Sequence, residues 1–182
     1  MGTAAARSFV FAVEFRIAES QRVGPALADH EASLRDMGAR YAFVYESIVE
    51  PGQVLVVIGV HTDRPLLEIL RSPHFFAWFD AVGIDDLPAV FTGETVERFD
   101  LGEPPPPGGE IVVAAVLRVD DVDEFMARVR DSLDDFAKAG IRRTLVYRAA
   151  DTSHEVFFLQ QLATERTALH WVRRSETADE WL

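Results

Sequence analysis

The chain of 182 residues contains no cysteine. Disulfide bonds, thiolate nucleophiles and cysteine-bearing metal sites are therefore excluded from the start. Basic residues are also scarce: 18 lysines and arginines face 30 aspartates and glutamates, a formal net charge of −12. Such a surface repels phosphate backbones and anionic headgroups, so neither a nucleic acid nor a membrane is expected as partner. No apolar stretch reaches the length of a membrane-spanning helix, and residues 1–7 lack the apolar run of a secretory leader. Gly2 is followed by Ala6, where a myristoylation signal needs serine or threonine. A cytoplasmic location is the expectation. There is no EF-hand loop, glycine-rich phosphate loop or Gly-x-Ser-x-Gly elbow, and no two of the five histidines stand four residues apart as a helical metal site requires. No metal is expected.

What is present is organised around residues 101–110, Leu-Gly-Glu-Pro-Pro-Pro-Pro-Gly-Gly-Glu. The prolines form a stiff spacer between two segments that repeat each other. At an offset of 102 residues Val10 falls on Val112, Ala12 on Ala114, Arg16 on Arg118, Gly38 on Gly140 and Arg40 on Arg142. Val44 and Tyr45 fall on Val146 and Tyr147, Val54 on Val156, Thr62 on Thr164, Arg64 on Arg166, Leu67 on Leu169 and Arg71 on Arg173. So many identities at one gapless offset indicate an internal duplication. The division expected is a flexible tail at 1–7, a first copy at 8–100, a linker at 101–109 and a second copy at 110–182.

Each copy has a legible order of elements. Residues 8–17 are aromatic and β-branched, with Phe9, Phe11, Val13, Phe15 and Ile17 on one face, and read as a strand. A helix from Pro25 to about Met37 stops at Gly38. Strands at 41–49 and 54–61 flank the turn at 50–53 and form a hairpin. Helical turns follow at 63–72 and 74–81, then a strand at 89–99. The second copy repeats this with a strand at 110–119, a helix from 120 to 139 stopped by Gly140, a hairpin of 143–150 and 155–162, and a helix at 164–174. No counterpart of the strand at 89–99 follows. The fold class expected is α+β, two tandem β-α-β-β-α-β units of ferredoxin-like type, the second without its last strand. That loss leaves the apolar strand 110–119 with an open edge for which a cover is expected.

Two such copies in tandem resemble the dimeric α+β barrel superfamily, which includes antibiotic-biosynthesis-type monooxygenases, haem-degrading monooxygenases and relatives of chlorite dismutase. The first copy adds a local likeness: Ser72-Pro73-His74-Phe75-Phe76-Ala77-Trp78-Phe79 is similar to the monooxygenase-like segment in which a helix ends near a Ser-Pro-His-Phe turn. The resemblance implies a pocket lined by aromatic side chains with few polar groups, suited to a small hydrophobic molecule. It also sets limits. Haem-degrading members use an asparagine on the first strand, where this chain has Glu14 and Arg16. Glu176 occupies the position of His74 in the second copy, so a site built on that histidine exists once per chain.

The catalytic candidates are His74, which aromatic neighbours would dry, and Glu14, whose place between Val13 and Phe15 would desolvate a carboxylate. Against these stand plainer roles: a capping histidine, and a solvent-facing glutamate paired with a basic group. Phe75, Phe76, Trp78, Tyr45 and Arg16 are the substrate-binding candidates. The aromatic residues among them double as core, and the recurrence of Arg16 as Arg118 points to an ion pair at a strand end. The leading functional reading is a small-molecule-binding protein, a monooxygenase-like enzyme if catalytic, acting on a hydrophobic or aromatic substrate without a dedicated cofactor. The alternatives are a non-catalytic ligand- or protein-binding module using the open edge, and a haem protein resting on His74 alone. A homodimer is expected, as acidic barrels with an open edge often pair.

Overall fold

A computed structural model describes residues 6–84, 88–106 and 109–174. The chain is α+β, with seven antiparallel strands among the described residues and two tandem ferredoxin-like units, Met1–Thr92 and Gly93–Leu182. In the first unit β1 (Arg7–Arg16) and β2 (Ala39–Glu46) both pair antiparallel with β3 (Gln53–Thr62). Between β1 and β2 run a short 3-10 turn and helices α1 (Val23–Asp29) and α2 (Glu31–Asp36). After β3 come α3 (Leu66–Leu70) and α4 (Pro73–Val82). The strand order is β2-β3-β1, with β4 (Ala89–Asp100) next to β1. Arg7, expected in the tail, opposes Thr62 as the first residue of β1.

The second unit repeats the pattern: β5 (Ile111–Arg118), α5 (Val122–Asp131), α6 (Leu133–Lys138), β6 (Ile141–Ala149), β7 (Glu155–Leu162) and α7 (Glu165–Arg174). Its order is β4-β6-β7-β5. The two compact units meet within β4, whose residues Gly93–Asp100 pair along β6. Among the described residues no strand follows α7, and β5 stands at the end of the order.

The duplication reaches into the irregularities. The helix expected after the first strand of each copy is broken, at His30 in the first and at Ser132 in the second, again 102 residues apart. The register shift between Ala39 and Tyr41 in β2 recurs between Ile141 and Arg143 in β6. Gly38 and Gly140 end the helices with φ of 96° and 89°, a backbone region that only glycine occupies cheaply. A Cβ on Gly38 would lie 2.4 Å from the His61 carbonyl oxygen, and one on Gly140 would lie 2.7 Å from Thr167 Cγ2.

Each sheet buries one face beneath its helices. In the first unit Phe9, Phe11, Val13 and Phe15 of β1 join Val54, Val56, Ile58 and Val60 of β3 under Leu27, Leu34, Ile69, Phe75 and Trp78. The alternation of β1 sends these odd-numbered residues to the helices and the even-numbered ones to the other face. In the second unit Val146, Val156, Phe158 and Leu162 pack under Phe125, Met126, Val129, Phe136 and Trp171.

Candidate functional site

Two faces of the first sheet divide the residues that the sequence singles out. On the helix side, Ser72 caps α4: its Oγ accepts the His74 backbone N–H at 3.3 Å, and Pro73 occupies the first turn, where its missing N–H costs nothing. The helix then presents Phe75, Trp78, Phe79 and Val82, spaced at three and four residues, to the core. Phe75 meets Phe11 with ring centroids 5.2 Å apart, Trp78 meets Phe15 at 6.0 Å, and Trp78 stacks on Phe79 at 3.9 Å. His74, one turn before Trp78, is exposed, so the expectation that its aromatic neighbours would dry it is corrected: they turn to the core and it turns to solvent. Phe76 belongs to α4, but its side chain lies outside the described part of the molecule.

Glu14, Arg16 and Tyr45 belong to the opposite face. Glu14 of β1 and Tyr45 of β2 both oppose Leu55 of β3, and the neighbouring Val54 and Val56 point to the helices. The expectation that Val13 and Phe15 would desolvate Glu14 is corrected by this alternation: those side chains turn to the core and Glu14 turns away, exposed, where it accepts a hydrogen bond from Gln53 Nε2. Glu14 thus cannot act on the same bound molecule as the Phe75–Trp78 cluster. Arg16 forms an exposed ion pair with Glu50, and Arg118 forms its own with Glu155 at 3.4 Å, the strand-end role that their recurrence suggested. Such exposed pairs hold the hairpins locally and add little stability.

The cluster on the helix side contains one unpaired polar atom. Trp78 is fully buried, and its Nε1 has no hydrogen-bond partner among the described residues. A buried indole N–H left without an acceptor costs roughly 1–3 kcal/mol. The second unit holds a different polar group at its sheet–helix boundary. Trp171 Nε1 donates to Gln160 Oε1 at 2.9 Å, while Gln160 Nε2 and the hydroxyl of its cross-strand neighbour Thr144 lack partners among the described residues. The first copy has Ala42 and Ile58 at the positions of Thr144 and Gln160. The sequence signal for this group was a glutamine pair inside the apolar strand Val-Phe-Phe-Leu-Gln-Gln-Leu.

A groove of about 540 Å³ opens elsewhere on the first unit, lined by Glu19, Ser20, Gln21, Arg22 and Asp29 together with Ala81. It is open and charged, and none of the catalytic or substrate-binding candidates named from the sequence lines it. Among the described residues no group of three or more His, Asp or Glu side chains could hold a metal ion, and no helix is long and apolar enough to cross a membrane.

No family model matches the chain, and no curated protein matches it. Solved structures do. An anthrone oxidase-like protein superposes with a TM-score of 0.67 at 14% identity, over 97% of this chain and 81% of the other. A monooxygenase candidate from Fusobacterium nucleatum gives 0.62 at 10% identity, over 99% and 85%. A ferredoxin-fold protein from Listeria monocytogenes, related to antibiotic biosynthesis monooxygenases, gives 0.51 at 9% identity, over 97% and 83%. The chain has the fold of these monooxygenase-like proteins. At such identities the likeness speaks for architecture, and the site must be argued from the residues themselves.

Proposed function

We propose that the chain is a monooxygenase-like protein that binds a flat aromatic molecule bearing an acceptor oxygen, on the helix side of the first sheet. The observation that carries this reading is the buried, unpartnered Trp78 Nε1 among Phe11, Phe15, Phe75 and Phe79. The rings pack on one another in the closed core, so a planar ligand would have to part them on entering, and its oxygen would then supply the acceptor that the indole lacks. The name of the anthrone oxidase-like structure supports the substrate class: a tricyclic ketone with an acidic carbon opposite its carbonyl.

In the catalytic form of this reading, His74 at the rim takes a proton from that carbon, and the Trp78 N–H holds the oxygen on which negative charge collects. The carbanion reacts with dioxygen, so that a CH₂ group and O₂ become a carbonyl and water, with no dedicated cofactor. A haem reading has no support beyond His74 itself. A non-catalytic binding module is favoured only by the strand edges at β2 and β5 that no described strand pairs.

The test is a titration with anthrone and related tricyclic ketones, read by tryptophan fluorescence and by oxygen uptake. Trp78→Phe should weaken binding roughly tenfold, the equivalent of one hydrogen bond to a buried donor. His74→Ala should keep binding and lower oxygen uptake by at least about a hundredfold. Binding without uptake in the unaltered protein would leave a binding module; absence of binding to any such ketone would remove the reading altogether.

A further inference from the structure

The groove of about 540 Å³ on the first unit has the size of a small-molecule site. Its wall is held from behind. Where the chain leaves β1 it forms the 3-10 turn Ser20–Arg22: the Arg22 N–H donates to the Glu19 carbonyl at 3.0 Å, the Ser20 hydroxyl donates to Glu46 Oε2 at 2.9 Å, and the next residue, Val23, is fully buried. Arg22 already has helical backbone angles, φ −76° and ψ −20°, as α1 begins. Arg22, Pro25, Ala26 and Asp29 all line the groove, and they stand at i, i+3, i+4 and i+7, one stripe of a helix. At 1.5 Å per residue this stripe carries a cation and a carboxylate about 10 Å apart, with a small apolar floor between them. Glu19, three residues before Arg22 across the 3-10 turn, sets a second carboxylate at the cationic end.

These charges do not neutralise one another. Arg16, Arg98, Arg130 and Arg143 each face a carboxylate in this acidic chain. Among the described residues Glu19, Arg22 and Asp29 have no ion pair and no side-chain hydrogen bond. The second copy shows that the fold does not need them. Asp121, at the position of Glu19, caps α5 by accepting the Glu124 N–H at 2.9 Å, whereas Glu19 makes no side-chain cap. Glu124 stands in place of Arg22 and Arg128 in place of Ala26, so the cation and the small floor belong to the first copy alone.

We infer that the groove binds a free linear diamino acid. The α-carboxylate lies against Arg22, the α-ammonium against Glu19 and the terminal ammonium against Asp29, with the methylenes over Pro25, Ala26 and Ala81. Charge matches as well as order: two carboxylates and one guanidinium meet two ammonium groups and one carboxylate. A phosphate or a dicarboxylate would meet two like charges, and a plain diamine would leave the guanidinium unpaired. The site stands whether or not the aromatic cluster around Trp78 takes a ketone, since none of its charged groups belongs to that cluster.

The test is an NMR titration of the isotope-labelled full chain with L-lysine. Saturable shifts should appear at the amides of residues 18–29, with a dissociation constant below about 1 mM. Norleucine ends in a methyl group where lysine carries its ammonium, and cadaverine lacks the carboxylate. Each should bind at least about threefold more weakly, the scale of one exposed charge pair. Arg22→Gln should weaken lysine and norleucine alike but not cadaverine, and Asp29→Asn should weaken lysine while leaving norleucine unchanged. Both side chains are exposed, so these variants keep the fold. Lysine that fails to saturate, norleucine that binds as tightly as lysine, or affinities indifferent to Arg22→Gln and Asp29→Asn would each overturn the inference.

Discussion

Trp171 on α7 donates its indole N–H to Gln160 on β7 at 2.9 Å inside the second core, where both side chains are almost wholly buried. The bond satisfies one end of the glutamine and leaves its amide nitrogen without a partner. Removing the tryptophan donor by Trp171→Phe leaves both ends of the amide unpaired and should cost about 1–3 kcal/mol in a urea titration. Adding Gln160→Ile, the residue type of the first copy, should recover part of that loss. The single and double variants together form a cycle whose coupling measures the bond.

Thr144 next to Gln160 is buried with an unpartnered hydroxyl. Thr144→Val keeps the shape and removes the polar atom, so it should leave stability unchanged or raise it by up to about 1 kcal/mol. A clear loss of stability would mean that the hydroxyl and the Gln160 amide hold a bound molecule, water included.

Gly140 carries a positive φ and lies against Thr167. Gly140→Ala should destabilise the protein by more than about 1 kcal/mol, since it adds both backbone strain and a close contact. Gly83 also has a positive φ but has open space around it. Gly83→Ala should therefore show the strain alone, a smaller shift of the urea midpoint.

Asp100 at the end of β4 accepts hydrogen bonds from Arg98 Nε at 2.9 Å and from Arg143 Nε at 2.5 Å. These hydrogen bonds, from Arg98 first and then from Arg143, hold its carboxyl below the usual aspartate value. A folded-state value below the unfolded one means that this contribution is fully present above the unfolded value, about 3.9, and is lost as the pH falls through the lower folded value. Asp100→Asn should flatten the stability curve below about pH 4 and change little in the slope above it. The side chain is half exposed, so the difference should shrink with added salt.

Much of this fold was legible because a duplicated chain states its pattern twice. The strand alternation of Phe9, Phe11, Val13 and Phe15 and the glycine stops at 38 and 140 needed no structure to be read. The helix breaks at His30 and Ser132 were hidden, since helical spacing of Leu27, Leu34 and Met37 continues through the first of them. The partner of β4 was hidden for another reason: strand pairing across the chain leaves no periodicity in either strand. At the site, the aromatic face of α4 followed from spacing and proline placement. Glu14 misled because its neighbours in sequence are not its neighbours in space; consecutive residues of a strand point to opposite faces. The polar group around Gln160 had only a faint signature, two glutamines in an otherwise apolar strand.

Because β4 begins in the first unit and pairs with β6 from Gly93 onward, the second unit takes one of its strands from sequence that precedes the proline-rich spacer. A ribosome completes that strand before any other part of the second unit exists. The first half thus leaves the exit tunnel carrying an unmatched template, and β6 arrives about forty residues later to a waiting surface. Cutting at the prolines, where the sequence invites it, would leave Gly93–Asp100 without β6 and the second unit without its edge strand.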